Sequence, residues 1–230
     1  MPPEIASLLQ SITVGALPVI FAITLHEAAH GYVAYKLGDD TAWKMGRVTF
    51  NPIKHIDLIG TIVLPLVLLI GSNGRFIFGY AKPVPVRFDR LNHPRRDMVW
   101  VALAGPGTNL VLALLSAVLL SGVPHLPFFL RGWTEDNLVN SVVFNVIIGV
   151  FNMIPLPPLD GGRVAVGLLP DALAIPLART ERYGMLILIT LLFLLPMIGD
   201  QMHMNLNVVG YIIQRPIEWL LHGISWLTGA

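Results

Sequence analysis

The sequence predicts an all-α polytopic membrane protein of about five to six transmembrane helices with a small β element. Three observations predict it. Of 230 residues, 54% are hydrophobic and 13% are charged, whereas a soluble domain carries about 25% charged residues. The apolar residues fall in runs that match a bilayer core, which takes about 20 residues per helix: 5–37, 97–121, 137–156, 183–199 and, with more polar interruptions, 206–228. A shorter run, 58–71, is too brief for an ordinary crossing and reads as a re-entrant segment. With 15 Lys+Arg against 14 Asp+Glu the net charge is +1, so a nucleic-acid partner is not expected. There is no cysteine, so any metal must be held by His, Asp or Glu.

The first run begins Met1-Pro-Pro-Glu4, without a basic leader or a small-residue cleavage pattern, and reads as a retained membrane helix. It contains His26-Glu27-Ala28-Ala29-His30. Four helical residues turn the chain by about 400°, so the two imidazoles stand about 40° apart and meet one ion. Glu27 lies to the side of that pair, able to touch a water but not to be a third ligand. Two histidines, a general base and an open coordination position are what a zinc hydrolase requires. Ionisable groups inside a membrane helix are costly, which favours a functional site over a solvated helix face.

Residues 46–52 (Gly46-Arg-Val-Thr-Phe-Asn-Pro52) and 75–86 (Arg75 through Val86) do not read as helix. They alternate or carry β-branched and aromatic residues, and their prolines forbid a central strand, so both are expected as short or edge strands. Pro83 and Pro85, with Tyr80, Lys82, Val84 and Val86, would form an edge against which an extended substrate could pair; a plain surface loop is the competing reading.

Downstream, Phe151-Asn-Met-Ile-Pro-Leu-Pro-Pro-Leu-Asp-Gly-Gly-Arg163 ends the run 137–156 with three prolines. Asp160 precedes two glycines that permit a sharp turn, so its carboxylate can point back into the bundle as the third zinc ligand. Asn152 could donate to a substrate oxyanion, or satisfy its own helix end. Asn109, in Ala104-Gly-Pro-Gly-Thr-Asn109, is either helix glue or a support of the site. The remaining histidines, His55, His93, His125, His203 and His222, read as interfacial or solvated, and Trp133, Trp219 and Trp226 as an interfacial belt.

The residues between spans give the orientation. Loop 38–57 holds Lys44, Arg47 and Lys54; loop 72–96 holds Arg75, Lys82, Arg87, Arg90, Arg95 and Arg96; loop 157–182 holds Arg163, Arg179 and Arg182; loop 122–136 holds Arg131 alone. The positive-inside rule places the first three in the cytoplasm. The metal motif gives the same answer, since His26, His30 and Asp160 all lie toward C-terminal helix ends and meet only if those helices run parallel. One of 58–71 and 97–121 must then not cross, and 58–71 is the shorter.

HEAAH in a membrane helix with NMIPLPPLDGG downstream resembles the site-2 protease family of intramembrane zinc metalloproteases. GRVTFNP and GYAKPVPV resemble its compact bacterial or archaeal subgroup, without PDZ or CBS domains. The resemblance covers about Leu17 to Arg163. It implies one zinc per chain on His26, His30 and Asp160, Glu27 as catalytic base, and Asn152 as a substrate or oxyanion contact. It implies cleavage of peptide bonds within or next to transmembrane segments of membrane proteins, in a cell inner or plasma membrane, with the active site toward the cytoplasm. The expected organisation is a single domain over 1–230, with a catalytic core of about 5–165 and C-terminal helices over about 181–228. The alternative is a polytopic metal-ion transporter, which should place ionisable groups on several helices along one route rather than at one depth.

Overall fold

The structure, a computed structural model, describes residues 3–71 and 79–229. Helix α1 (Pro3–Lys36) contains 34 residues, about 51 Å of helix. Its row Ala22, His26, His30, Ala34 lies four residues apart on one buried face. That face meets α4 (Pro94–Leu120), whose buried stripe of small residues includes Ala102, Gly105, Pro106, Ala113, Ser116 and Ala117. Small side chains let two backbones approach closely, which is how helices gain contact in lipid. The two helices are antiparallel: the Ala22 carbonyl accepts from Asn109 Nδ2, and His30 reaches the Val101 carbonyl.

Helix α5 (Phe128–Asn152) runs parallel to α1. Trp133 Nε1 donates to Thr13 Oγ1 at 3.0 Å and Asn140 Nδ2 to the Val14 carbonyl at 3.0 Å. The parallel arrangement required by the ligand positions is therefore present. After the Pro155–Pro158 turn, α6 (Asp160–Leu168) turns back along α4. Arg95 at the start of α4 fixes the far end of α6, donating to the Gly167 carbonyl and pairing with Asp171 at 2.6 Å.

Segment 58–71 is helical and exposed, a π-turn over Leu58–Val63 leading into α3 (Leu64–Gly71). Asp57 caps it, accepting from the Ile59 and Gly60 N–H groups. At 14 residues it is about 21 Å long, short of a bilayer core of about 30 Å. The Tyr80 N–H donates to the Gly60 carbonyl, and Thr61 Oγ1 donates to the Tyr80 carbonyl. The chain therefore returns at residue 80 to the place it left at residue 60. Loops 38–57 and 72–96 also meet: the Lys82 N–H donates to the His55 carbonyl, and the Arg87 N–H to Asp39.

The β element expected over 46–52 and 75–86 is not formed: there are no strands among the described residues, and 75–78 lies outside them. Residues 52–55 instead make a 3₁₀ turn capped by Asn51. From 79 to 87 the chain is irregular. Proline removes donors at 52, 83 and 85, and the surviving polar groups bond to side chains and single carbonyls rather than to a ladder. His55, expected at an interface or in solvent, is buried on the Thr49 carbonyl.

Among the described residues, three helices are long and apolar enough to cross a membrane: Gln10–Lys36, Pro94–Leu120 and Glu181–Gln201. This is fewer than the five to six expected. The last of them is a nearly continuous rod of α8 (Glu181–Ile189), a π-turn and α9 (Leu195–Gln201), preceded by α7 (Asp171–Arg179). Helix α10 (Val208–Thr228) packs on α4 and α5. Its Ile212 and Pro216 share the wall of an apolar cavity of about 550 Å³ with Leu103 and Met153. Its Ile224 packs in a cluster with Ala117 and Val142. Residue numbers rise together along α10 and α4, so these two helices run parallel.

Candidate metal centre

His26 and His30 project from α1, and Asp160 stands at the first position of α6, buried with them. The two glycines after Asp160 allow its turn for a packing reason: a Cβ at Gly161 or Gly162 would collide with the Met153–Pro157 backbone. The three ligand atoms converge. His26 Nε2 lies 3.1 Å and His30 Nε2 3.3 Å from Asp160 Oδ2, and the two Nε2 atoms are 3.0 Å apart. The side chains of His26, His30 and Asp160 are 7%, 10% and 8% exposed.

Chemistry decides what such a triangle can hold. His30 Nδ1 is 2.7 Å from the Val101 carbonyl, which only accepts, so Nδ1 carries the proton. His26 Nδ1 is 2.6 Å from Asn109 Oδ1 and carries its proton there too. Both Nε2 atoms then present lone pairs to each other and to a buried carboxylate oxygen that has no hydrogen-bond donor. Three electron pairs at one point repel unless a cation lies among them. Zinc with ligand bonds of about 2.0–2.1 Å sets tetrahedral ligands about 3.3 Å apart. The residues fit the ion.

Gly105 completes the cradle. A Cβ there would stand 2.5 Å from both Nε2 atoms, in the space the ligands face. Glu27 is half-buried beside the triangle and outside it. Its Oε2 accepts the Val84 N–H at 2.8 Å, tying it to the 80–86 segment. Asn152 is at the end of α5 with its amide N–H turned to the Ile148 carbonyl of its own helix, not to the metal triangle. Asn109 reaches His26 directly.

In the 80–86 segment, the N–H groups of Tyr80, Lys82 and Val84 all bond inward, to Gly60, His55 and Glu27. Arg47, buried, donates to the Lys82 carbonyl at 2.7 Å. Several of these residues had no functional signature in the sequence. Val101 and Val84 act through the backbone, which any residue supplies. Gly105 was legible only as a packing glycine. Asn145, which bonds Asn109, did carry a signal, since an amide inside an apolar run is unusual.

The C-terminal part of the chain, residues 131–195, matches the family model Peptidase family M50. Over 180 residues the chain is 40% identical to YwhC of Bacillus subtilis (strain 168), whose name describes a zinc metalloprotease; the match covers 76% of this chain and 78% of that protein. The chain belongs to peptidase family M50. This is the site-2 protease family, and the protein is a zinc metalloprotease of the membrane. Rip2 of Mycolicibacterium smegmatis, also named for a zinc metalloprotease, is 30% identical over 75% of this chain and 64% of its own length. Rip2 of Mycobacterium tuberculosis (strain ATCC 25618 / H37Rv) is 28% identical over 77% of this chain and 65% of its own. No solved structure matches the chain at a significant level. Together with its apolar helices, the family makes this M50 peptidase a multi-pass membrane protein whose substrates are membrane proteins.

Proposed function

We propose that this M50 peptidase cuts peptide bonds within or beside the transmembrane segments of its substrates, with zinc on His26, His30 and Asp160 and Glu27 as the base. The observation that carries the reading is the convergence of three proton-free ligand atoms beside a glutamate that is not one of them. Zinc, when bound, supplies Lewis acidity to the scissile carbonyl and to the attacking water. Glu27 takes a proton from that water through the oxygen Val84 leaves free and passes it to the leaving amine. Asn152 serves the oxyanion only after its amide turns away from Ile148. The site works toward the cytoplasmic side of a bacterial or archaeal inner membrane, within a single domain over 1–230 whose core is about 5–165.

The 80–86 segment receives the substrate as an extended chain. Its even residues face the protein through their N–H groups. Of the odd residues, Ala81, Pro83 and Pro85, two lack an N–H, and the Pro83 carbonyl accepts from the buried Arg47 at 3.4 Å, which leaves the Ala81 and Pro85 carbonyls to an incoming chain. The outer edge thus accepts more than it donates, and a substrate held there must supply its own N–H groups. Proline beside the cleaved bond should therefore slow cleavage, while proline or glycine that merely opens the substrate helix further along should speed it. Metal transport finds less support: among the described residues there is one group able to hold a metal, where an ion path needs several.

Zinc content and cleavage of a membrane-embedded model substrate, measured for wild type and Glu27→Gln, test the assignment. The variant should keep one zinc per chain and lose about 10²–10⁴-fold in turnover. Unchanged cleavage, or loss of the zinc, overturns the role of Glu27.

A further inference from the structure

Two buried amides connect His26 to the middle of α5. Asn109 is 0% and Asn145 1% exposed, at membrane depth. Asn145 Nδ2 donates to the Ser141 carbonyl of its own helix at 2.8 Å. Asn109 Nδ2 lies 2.8 Å from Asn145 Oδ1 and 3.3 Å from the Ala22 carbonyl, and Asn109 Oδ1 lies 2.6 Å from His26 Nδ1. Beyond Asn145, Ser141 Oγ meets Ser116 Oγ at 2.7 Å.

The order of atoms in this row is forced. A backbone carbonyl only accepts, so the Asn145 amine must face Ser141 and its oxygen must face Asn109. Asn109 must then present its amine to both that oxygen and the Ala22 carbonyl. Its own oxygen is left for His26, and His26 Nδ1 must donate to it. The lone pair is consequently on Nε2, the atom that faces Asp160. His30 reaches the same state in one step, from the Val101 carbonyl. His26 has no carbonyl at its Nδ1 and takes its tautomer through two side chains.

We propose that Asn145 is a positioning residue of the metal site, acting through Asn109 to hold His26 as the Nδ1–H tautomer. Without it, Asn109 loses its main acceptor and its amide can turn, offering His26 a donor instead of an acceptor. The imidazole would then protonate Nε2, which cannot bind a metal in that state. Partners of ligating histidines typically carry a 10–100-fold share of metal affinity. The inference rests on the zinc assignment above and adds a residue 119 positions away in sequence from His26.

The test is zinc affinity, read by chelator competition on the detergent-solubilised full chain, with the visible spectrum of the Co²⁺-loaded protein as a second readout. Wild type, Asn109→Leu, Asn145→Leu, the double variant and Asn140→Leu are compared. Asn140 also joins α5 to α1, through the Val14 carbonyl, but lies outside the row and controls for lost helix contact. Asn109→Leu should weaken zinc about 10–100-fold, Asn145→Leu by a smaller factor in that direction, and the double variant no more than Asn109→Leu alone. The Co²⁺ spectrum of Asn145→Leu should depart from that of wild type, while that of Asn140→Leu should match it. Equal effects of Asn140→Leu and Asn145→Leu, or wild-type affinity in Asn145→Leu, overturn the relay and leave the zinc assignment standing. A wild-type chain that binds no zinc overturns both.

Discussion

The α1–α4–α5 body and the α8–α9 rod are both apolar helices of one membrane protein, yet they are held in different ways. The body is tied by polar pairs, buried at Asn109 to Ala22 and His30 to Val101, half-buried at Asn140 to Val14 and Ser116 to Ser141, and exposed at Trp133 to Thr13. The rod is held by Arg163 with Glu181 and Gly184 against Pro157 near its start, by the buried Leu188 and the contact of its π-turn with α10 in its middle, and by Gly199 against Leu206 at its end. In lipid, apolar contact adds little to helix association, because the tails are as apolar as leucine. Directional polar pairs therefore decide which helices hold a fixed geometry. The body has several of them at the depth of the metal triangle, which tolerates little displacement; the rod contributes no atom to that triangle, and its ion pair, Arg163 with Glu181, stands at its start.

The sharpest way to break that contrast is to disturb the body at its tightest point. Gly105→Ala puts a methyl where both imidazole Nε2 atoms face. It should abolish stoichiometric zinc binding and, with it, cleavage, as His26→Ala and Asp160→Ala should. Alanine in the rod, as Leu186→Ala on its exposed face, should leave zinc content unchanged. A Gly105→Ala protein that retains one zinc per chain would show that the triangle rearranges on loading and that the body is not as rigid as its hydrogen bonds indicate.

A second, smaller effect concerns the loops that join the body to the 80–86 segment. Asp39 is buried at the end of α1, accepting from the Thr41 hydroxyl, the Thr41 N–H and the Arg87 N–H. Burial raises its pKa, but those hydrogen bonds and the charge of Arg90 outweigh it, so the carboxyl is held below the ordinary value. The folded state thus favours ionised Asp39. Its stabilisation is present above the unfolded pKa of about 3.9 and is lost as pH falls through the lower folded value. Thermal stability should fall on acidification below about pH 4, and Asp39→Asn should reduce that slope. Asp39→Ala should cost about 1–3 kcal/mol at neutral pH, as buried N–H groups lose their acceptor. No change in the acid limb for Asp39→Asn would remove Asp39 from this role.

The two regions also differed in how much could be read from sequence. Within the body, the His26–His30 spacing and the turn at Asp160 follow from helical geometry and from the scarcity of charge in a membrane. The re-entrant reading of 58–71 followed from its length, from the basic loops on both of its flanks and from the parity of crossings that the ligand positions require, and the return of residue 80 to residue 60 agrees with it. Among the described residues the strands did not form, because period-two patterning shows that a segment is extended but not that a partner strand exists. Val101 was illegible, Gly105 was legible only as a packing glycine, and Val84 was read as part of a substrate edge but not as the partner of Glu27, since a missing side chain or a backbone group contributes nothing to a motif. In the rod, hydropathy scored 181–201 as a crossing, but hydropathy measures solubility in lipid and carries no direction.

That last point leads to the prediction with no expected effect on activity. Gly184 packs on Pro157 and Pro158, near the Asp160 turn. Gly199 packs on Leu206, two residues before α10 begins at Val208. Val208 lies one helical turn, about 6 Å, before Ile212, which shares a cavity wall with Leu103 and Met153. Contact distances of this kind place Gly199 within about 13 Å of Val208, since two residues of chain add at most about 7 Å. The outer end of α4 at Leu120 is about 25 Å beyond Leu103. Gly199 therefore cannot reach it, and the far end of the rod lies nearer the active-site end of α4 than its outer end. A rod in the plane of the bilayer leaves α10 to cross alongside α4, so the C-terminus should emerge on the face opposite loop 72–96. A rod that crosses would send α10 back and put both on the same face. The chain has no cysteine, so Asn92→Cys and Thr228→Cys can be labelled singly in sealed vesicles without removing a background. Both variants should retain zinc and stability, and they should react from opposite faces. Labelling from one face would show that 181–201 crosses, and that the rod is set by its hydropathy rather than by its two anchored ends.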